Sequence, residues 1–279
     1  MYLWSPYWRK NHMVFNPLPG WGWAWDIVAF IISFIVILML VQINARIEKS
    51  GALSTTVTRK VIHTFAAPLW VLTWMLFSGG IFSRWLAIIV PLIFVLQFVM
   101  IGTGKSQNED FVRSMSRSGD PRELLGGTLY YAFLMVVIGI LWFYVPPDGN
   151  LAAATPLALI VFGCLAGGDG FADVIGRKYG GDKKFGIGGA EKTLAGVIGM
   201  FIGSFLFSFV LVFLFSIEVA TFSIVGLLIP ILIVSIVSTI VEAITPKGLD
   251  NLTITIAAII VVLILPFLGL WPYPMFSLF

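Results

Sequence analysis

Eight apolar runs dominate the chain, at 27–43, 61–78, 82–101, 126–145, 151–167, 194–217, 219–241 and 252–270. Each has about the 17–25 residues an α-helix needs to cross the hydrocarbon core of a bilayer. Inside lipid a backbone must satisfy its own N–H and C=O groups, which favours helices. The predicted fold is therefore all-α: a polytopic bundle of about eight transmembrane helices, forming one integral membrane domain over 1–279. Composition agrees, because only 11% of the 279 residues are charged, too few to cover a water-facing surface. Pro156 and the small residues of the fifth run predict tight packing against neighbours.

The basic residues sort by loop. All but Arg9, Lys10 and Arg84 fall in 44–60, 102–125, 168–193 and 242–251. Eight spans put those four loops on one face, and the positive-inside rule makes that face cytoplasmic with both termini outside. The net charge of +3 is too small to point to nucleic acid. Cys164 is the sole cysteine, which excludes an intramolecular disulfide and a thiol metal cluster. Residues 1–26 are Trp-rich and lack a small-residue cleavage site. They read as an interfacial segment, with Trp21, Trp23 and Trp25 at headgroup level, rather than as a signal peptide. Whether the bundle forms a homo-oligomer stays open.

Two of the loops on the charged face, 102–125 and 168–193, are long for helix–helix connections. The first opens on GTGKS at 102–106, which imitates the end of a phosphate-binding loop. The pattern requires a glycine five residues before Gly104, and Val99 stands there, with no strand ahead of it. A flexible helix exit with a snorkelling Lys105 is the better reading.

The second loop begins GDGFADVIGRKYG, from Gly168 to Gly180. Asp169 and Asp173 are four apart, on one face of a helix, where like charges repel unless a cation lies between them. A divalent ion such as Mg²⁺ suits two carboxylates completed by phosphate oxygens and water. Gly168 and Gly170 would leave the backbone open to close approach, and a helix starting near Asp169 would favour a phosphate at its N-terminus. Downstream, Lys183, Lys184 and Lys192 surround Gly188 and Gly189, and Thr193 follows Lys192. Taken alone, those lysines are a solvated loop facing anionic lipid. With the paired aspartates and glycines they suggest a metal–nucleotide site.

Other polar residues lie at the same ends of the spans. Asp250 and Asn251 open the last run, either as helix caps or as nucleotide or metal contacts. Glu242 closes the seventh, as a snorkelling carboxylate or as general base for an alcohol. Arg122 and Glu123 precede the fourth. Arg59, Lys60 and His63 share a helical face, suited to a phosphate or to the base of a nucleotide.

These stretches resemble a known group of membrane enzymes. GDGFADVIGRKYG followed by EKTLAG is similar to the signature of the CTP-dependent polyprenol kinases (phytol, farnesol and dolichol kinases), which are distantly related to the CDP-diacylglycerol synthases. RKVIHTFAAPLW at 59–70, PRELLGGTLYY at 121–131 and VEAITPKGLDNLTI at 241–254 resemble further elements of the kinase branch, so the likeness spans roughly 59–255. It implies transfer of the terminal phosphate of CTP, or another nucleoside triphosphate such as UTP or ATP, to an isoprenoid alcohol such as phytol, farnesol or geranylgeraniol. Phosphoryl transfer rests on positioning and charge neutralisation. The expected roles are Asp169 and Asp173 on Mg²⁺, Lys192 on the β- or γ-phosphate, and Lys183 or Lys184 on the phosphates as well. A lipid alcohol and a cytoplasmic nucleotide meet naturally at the cytoplasmic ends of the spans.

Two alternatives remain at this level. A phosphatidate cytidylyltransferase would share the nucleotide site, but nothing here resembles the Gly-His-Gly-Gly segment that ends the synthases, and the only histidines are His12 and His63. A small-anion transporter would show midplane charges and broken helices in paired halves, whereas these charges gather at one interface.

Overall fold

The computed structural model describes residues 17–18, 20–116, 118–146, 151–219 and 221–272. Arg9, Lys10 and the interfacial segment up to residue 16 lie outside them. The helices are α1 (Gly22–Lys49), α2 (Thr55–Leu72), α3 (Ser83–Gly102), α4 (Glu109–Met115), α5 (Gly127–Trp142), α6 (Leu157–Phe162), α7 (Asp169–Tyr179), α8 (Leu194–Glu218), α9 (Ile224–Ile244) and α10 (Asp250–Ile264). Among the described residues there is no β-sheet, and the all-α membrane bundle is what the apolar periodicity predicts. Among the described residues, seven segments are long and apolar enough to cross a membrane: α1, α3, Pro121–Trp142, Leu157–Tyr179, α8, α9 and Asp250–Leu268.

The remaining run belongs to α2, whose first turns carry Arg59, Lys60 and His63 and so dilute its apolar character. It nevertheless lies antiparallel along the length of α1. At one end Thr55 Oγ1 donates to Glu48 Oε1 at 2.9 Å. Further along, the hydroxyls of Ser33 and Thr73 meet at 2.7 Å, and at the far end Trp25 Nε1 donates to the Leu76 carbonyl at 2.6 Å. Beyond it, the buried Asp26 carboxylate accepts from Ser78 N and Ser83 Oγ at 2.6 and 2.8 Å. The short α4 docks at the opposite end through Arg113 Nε to Glu48 Oε1, 2.9 Å, and Lys49 to Asp110, 2.7 Å.

The fifth run departs furthest from its predicted bounds. Its helix starts at Leu157, after a 3₁₀ turn at Leu151–Ala153. It then continues through a π-helical turn, Gly163–Gly168, straight into α7. The rod ends only at Tyr179 and forms the centre of the bundle, with Leu157 to Phe162 and Cys164 to Ala166 fully buried. Glycines let α8 come close to it: a Cβ on Gly163 would meet Ser208 Oγ at 2.2 Å, and one on Gly168 would meet Ser204 Oγ at 2.2 Å. This is the small-residue packing that replaces hydrophobic driving force inside lipid.

That continuity corrects two expectations. The loop predicted over 168–193 begins only at Gly180, and α7, which starts at Asp169, continues directly from the π-turn, so no free helix N-terminus is available there for a phosphate. Gly168 and Gly170 are not open backbone either. The first packs on α8, and a Cβ on the second would lie 2.2 Å from Thr64 Oγ1 of α2.

Candidate active site

The polar face of α2 closes on the central rod. Lys60 Nζ donates to Asp169 Oδ2 at 2.8 Å, and His63 Nε2 lies 2.8 Å from the same oxygen. The histidine lies close to the carboxylate without forming a hydrogen bond to it. The spacing of three that put Lys60 and His63 on one helical face thus brings both to a single carboxylate at the π-turn exit. Tyr131 of α5 backs the histidine, with ring centroids 4.3 Å apart.

A second node forms around Lys192. Residues 180–193 fold back on themselves: Phe185 and Lys192 exchange two backbone hydrogen bonds, 2.9 and 2.7 Å, around a tip in which Gly188 and Gly189 take φ of +58° and +77°. The pairing projects Lys192 Nζ to Glu242 Oε1, at the end of α9, and to Asp250 Oδ2 at 3.3 Å, at the start of α10. Burial pulls the Lys192 ammonium down. The hydrogen bond and charge of Glu242, followed by those of Asp250, outweigh that and hold its pKa above the ordinary lysine value.

The two nodes face one cavity of about 960 Å³. Arg59, Lys60, His63, Glu123, Asp169 and Asp173 line one part of its polar end, and Lys184, Gly189, Lys192, Glu242, Asp250 and Asn251 line another. Five regions distant in sequence thus supply one site: α2, the 3₁₀ turn at Pro121–Leu125, α7, the loop after it, and the junction of α9 and α10.

Comparison with known proteins gives the family of the chain. The chain is 32% identical over 256 residues to a farnesol kinase of Arabidopsis thaliana, an alignment covering 90% of this chain and 78% of that one. The chain belongs to the phytol and farnesol kinase family. It is also 31% identical over 217 residues to a phytol kinase of the same plant, covering 77% and 68% of the two chains, and 30% identical over 233 residues to a probable phytol kinase of Zea mays, covering 81% and 72%. No family model matches the chain, and no solved structure does. Membership makes it a phosphotransferase with an alcohol acceptor, and places it with neither the cytidylyltransferases nor the transporters.

With the family in view, several predicted residues take different places. Asp169 and Asp173 turn to different side-chain partners. Asp169 has Lys60 and His63, while Asp173 Oδ1 accepts from Arg177 Nε at 2.8 Å. Arg122 and Lys183 are exposed and lie outside the cavity lining. Lys184 lines it while paired to Glu191 at 2.6 Å. Gly188 also lies outside the lining, where a Cβ would come 2.8 Å from Pro246 Cβ. The Thr193 hydroxyl is engaged as the N-cap of α8, accepting from Gly196 N at 3.1 Å. Asp250 and Asn251 do not cap α10, whose N-cap position is Leu249. Asp250 turns to Lys192, and Asn251 Nδ2 donates to the Gly127 carbonyl at 2.8 Å, tying α10 to α5. Glu123 Oε2 accepts from Ser116 Oγ at 2.8 Å.

Tyr131 and Lys247 also line the cavity; both lie in stretches that carry the family resemblance, but the sequence reading gave neither a role in the site. Among the described residues, no three His, Cys, Asp or Glu side chains close around a common point. A metal held wholly by protein is therefore not built here. Mg²⁺ bound together with a nucleotide needs only one or two carboxylates, and that donor set is present: hard oxygens in one cavity, with Asp250 Oδ1 buried and lacking a hydrogen-bond partner.

Proposed function

We propose that the protein transfers the terminal phosphate of CTP to the hydroxyl of an isoprenoid alcohol such as phytol, farnesol or geranylgeraniol, on the cytoplasmic face of its membrane. The observation that carries this reading is the convergence of Asp169, Lys192, Glu242 and Asp250, from four separate elements, at the end of the bundle where the basic residues gather. Such a cluster has the charges that phosphoryl transfer uses, which is mainly positioning and neutralisation. The relatives named farnesol and phytol kinase supply the alcohol class, and the resemblance to CTP-using kinases supplies the donor.

In this reading Lys192 leaves its carboxylate partners for the β- and γ-phosphates. Lys60, Arg59 and Lys184 add positive charge around them. Glu242, released from Lys192, stands beside the acceptor as the base that takes the hydroxyl proton. Asp169 and Asp173, with the unpartnered Asp250 oxygen, would hold Mg²⁺, which when bound neutralises phosphate charge. Asn251 keeps α10 against α5 and so fixes Asp250.

The test is an assay of the purified protein with phytol, farnesol, geranylgeraniol and a long polyprenol, each with CTP, UTP, ATP and GTP. The expected products are a prenyl monophosphate and CDP. Release of pyrophosphate with a lipid phosphate acceptor would overturn the reading in favour of cytidylyl transfer.

A further inference from the structure

The cavity does not end at the charged cluster. Past His63 it continues between α1, α2, α3 and α5 as an apolar arm, lined by Val41, Ala66, Val90, Phe94, Ala132 and Met135. Most of these are buried, and the same cavity is continuous with the polar site. One helical turn deeper it is closed. Trp70, Ile88 and Gly139 lie in contact there, since a Cβ on Gly139 would come 2.9 Å from Trp70 Cη2 and 2.8 Å from Ile88 Cγ2.

The floor is fixed by an unusual bond. Pro91 has no N–H and leaves the Ala87 carbonyl of α3 without its helical donor. Trp70 Nε1 supplies one at 3.0 Å. The fully buried indole is thereby pinned across the end of the arm. From His63 to Trp70 the helix rises about 10 Å at 1.5 Å per residue. The mouth is polar, formed by Asp169, His63 and Tyr131, and the walls are aliphatic and aromatic.

We propose that this arm receives the isoprenoid chain of the acceptor alcohol, hydroxyl outward at Asp169 and His63, and that Trp70 limits how far the chain enters. The inference rests on the prenol kinase reading and adds where the chain lies. An amphiphile with one hydroxyl and a branched hydrocarbon tail matches a cavity that is charged at one end and dry at the other. Chain entry buries apolar surface without leaving a polar group unpaired. The walls of α3 and α5 therefore set which alcohols are accepted, while Lys192 handles the nucleotide and Glu242 beside it faces the hydroxyl.

Two measurements test it. The first is kcat/KM for dimethylallyl alcohol, geraniol, farnesol and geranylgeraniol with Ala132→Phe, which fills the arm, and with Phe94→Ala, which widens it. Ala132→Phe is expected to lower the farnesol to dimethylallyl alcohol ratio about tenfold or more, the scale on which an apolar pocket discriminates, and Phe94→Ala to move the ratio the other way. Active variants whose ratios stay within about twofold of the unaltered protein would overturn the arm.

The second uses the unaltered protein, so it does not depend on variants folding. Photolysis of a farnesol analogue with a diazirine at its tail, followed by peptide mapping, is expected to label α3 and α5 near Val90, Phe94 and Met135. Labelling confined to α8, α9 or α10 overturns the arm and leaves the kinase reading intact. Absence of turnover by the unaltered protein with every prenol and nucleotide overturns both.

Discussion

The Tyr131 hydroxyl donates to the His63 carbonyl at 2.7 Å and accepts from the Ala67 N–H at 3.2 Å. Those two backbone groups are four apart in α2. The phenol of α5 thus bridges one turn of the α2 backbone, next to Pro68, where a helix is already weakened. The bridge ties the backbone of His63 to a second helix and stacks the tyrosine against the imidazole that meets Asp169.

Tyr131→Phe removes the bridge and keeps the ring. Buried groups deprived of a partner cost about 1–3 kcal/mol. The variant is expected to melt a few degrees lower in detergent and to turn over more slowly, because His63 and Lys60 lose their fixed register against Asp169. Differential scanning fluorimetry and a prenol phosphorylation assay check the two effects separately.

Lys192→Met should raise the nucleotide KM at least tenfold and lower kcat by about a hundredfold, the scale of a lost charge-stabilising donor. It should also destabilise the fold by about 3–5 kcal/mol, because it strands the buried Glu242. Adding Glu242→Gln is expected to restore much of the melting temperature and none of the activity. Recovery of activity in the double variant would show that the two side chains do no more than hold each other.

The raised Lys192 pKa fixes the sign of a pH effect. A group whose folded pKa lies above its unfolded value contributes stability that is complete below the unfolded value, here the ordinary lysine value of 10.5, and lost as pH climbs through the folded one. The difference in melting temperature between the native protein and Lys192→Met should therefore stay constant from neutral pH to about pH 10 and shrink only above it. Narrowing between pH 7 and 9 would contradict the pairing with Glu242 and Asp250.

Asp173→Asn is expected to abolish turnover while leaving the melting temperature nearly unchanged. Its pair with the half-exposed Arg177 belongs to the class of exposed ion pairs worth about 0–1 kcal/mol. Chelation of divalent ions should likewise stop the reaction, and added Mg²⁺ should restore it. Near-normal rates in either experiment would remove Asp173 and the metal from the proposed chemistry.

Gly168→Ala should destabilise the bundle by about 1–3 kcal/mol through overpacking, since its Cβ would meet Ser204 Oγ. Ser204→Gly in the same chain should relieve part of that loss. If the glycine served the nucleotide instead, the second substitution would recover nothing, and a thermal melt of both variants distinguishes the two.

What the sequence determined by itself was the membrane bundle, its apolar spans and the single face on which the charges gather, because each follows from the cost of placing backbone and charge in lipid. It also singled out Asp169, Lys192, Glu242 and Asp250, since ionisable residues at the ends of apolar runs stand out against so little charge. Their partners were decided only by the tertiary structure. Asp169 belongs with Lys60 and His63 rather than with Asp173, Lys192 with α9 and α10, and Gly168 with Ser204, because helix rotation and the π-turn set which faces meet. Spacing along one helix reports only its own face. The residue that meets it across the bundle depends on the packing of a second and third helix, which local sequence does not encode.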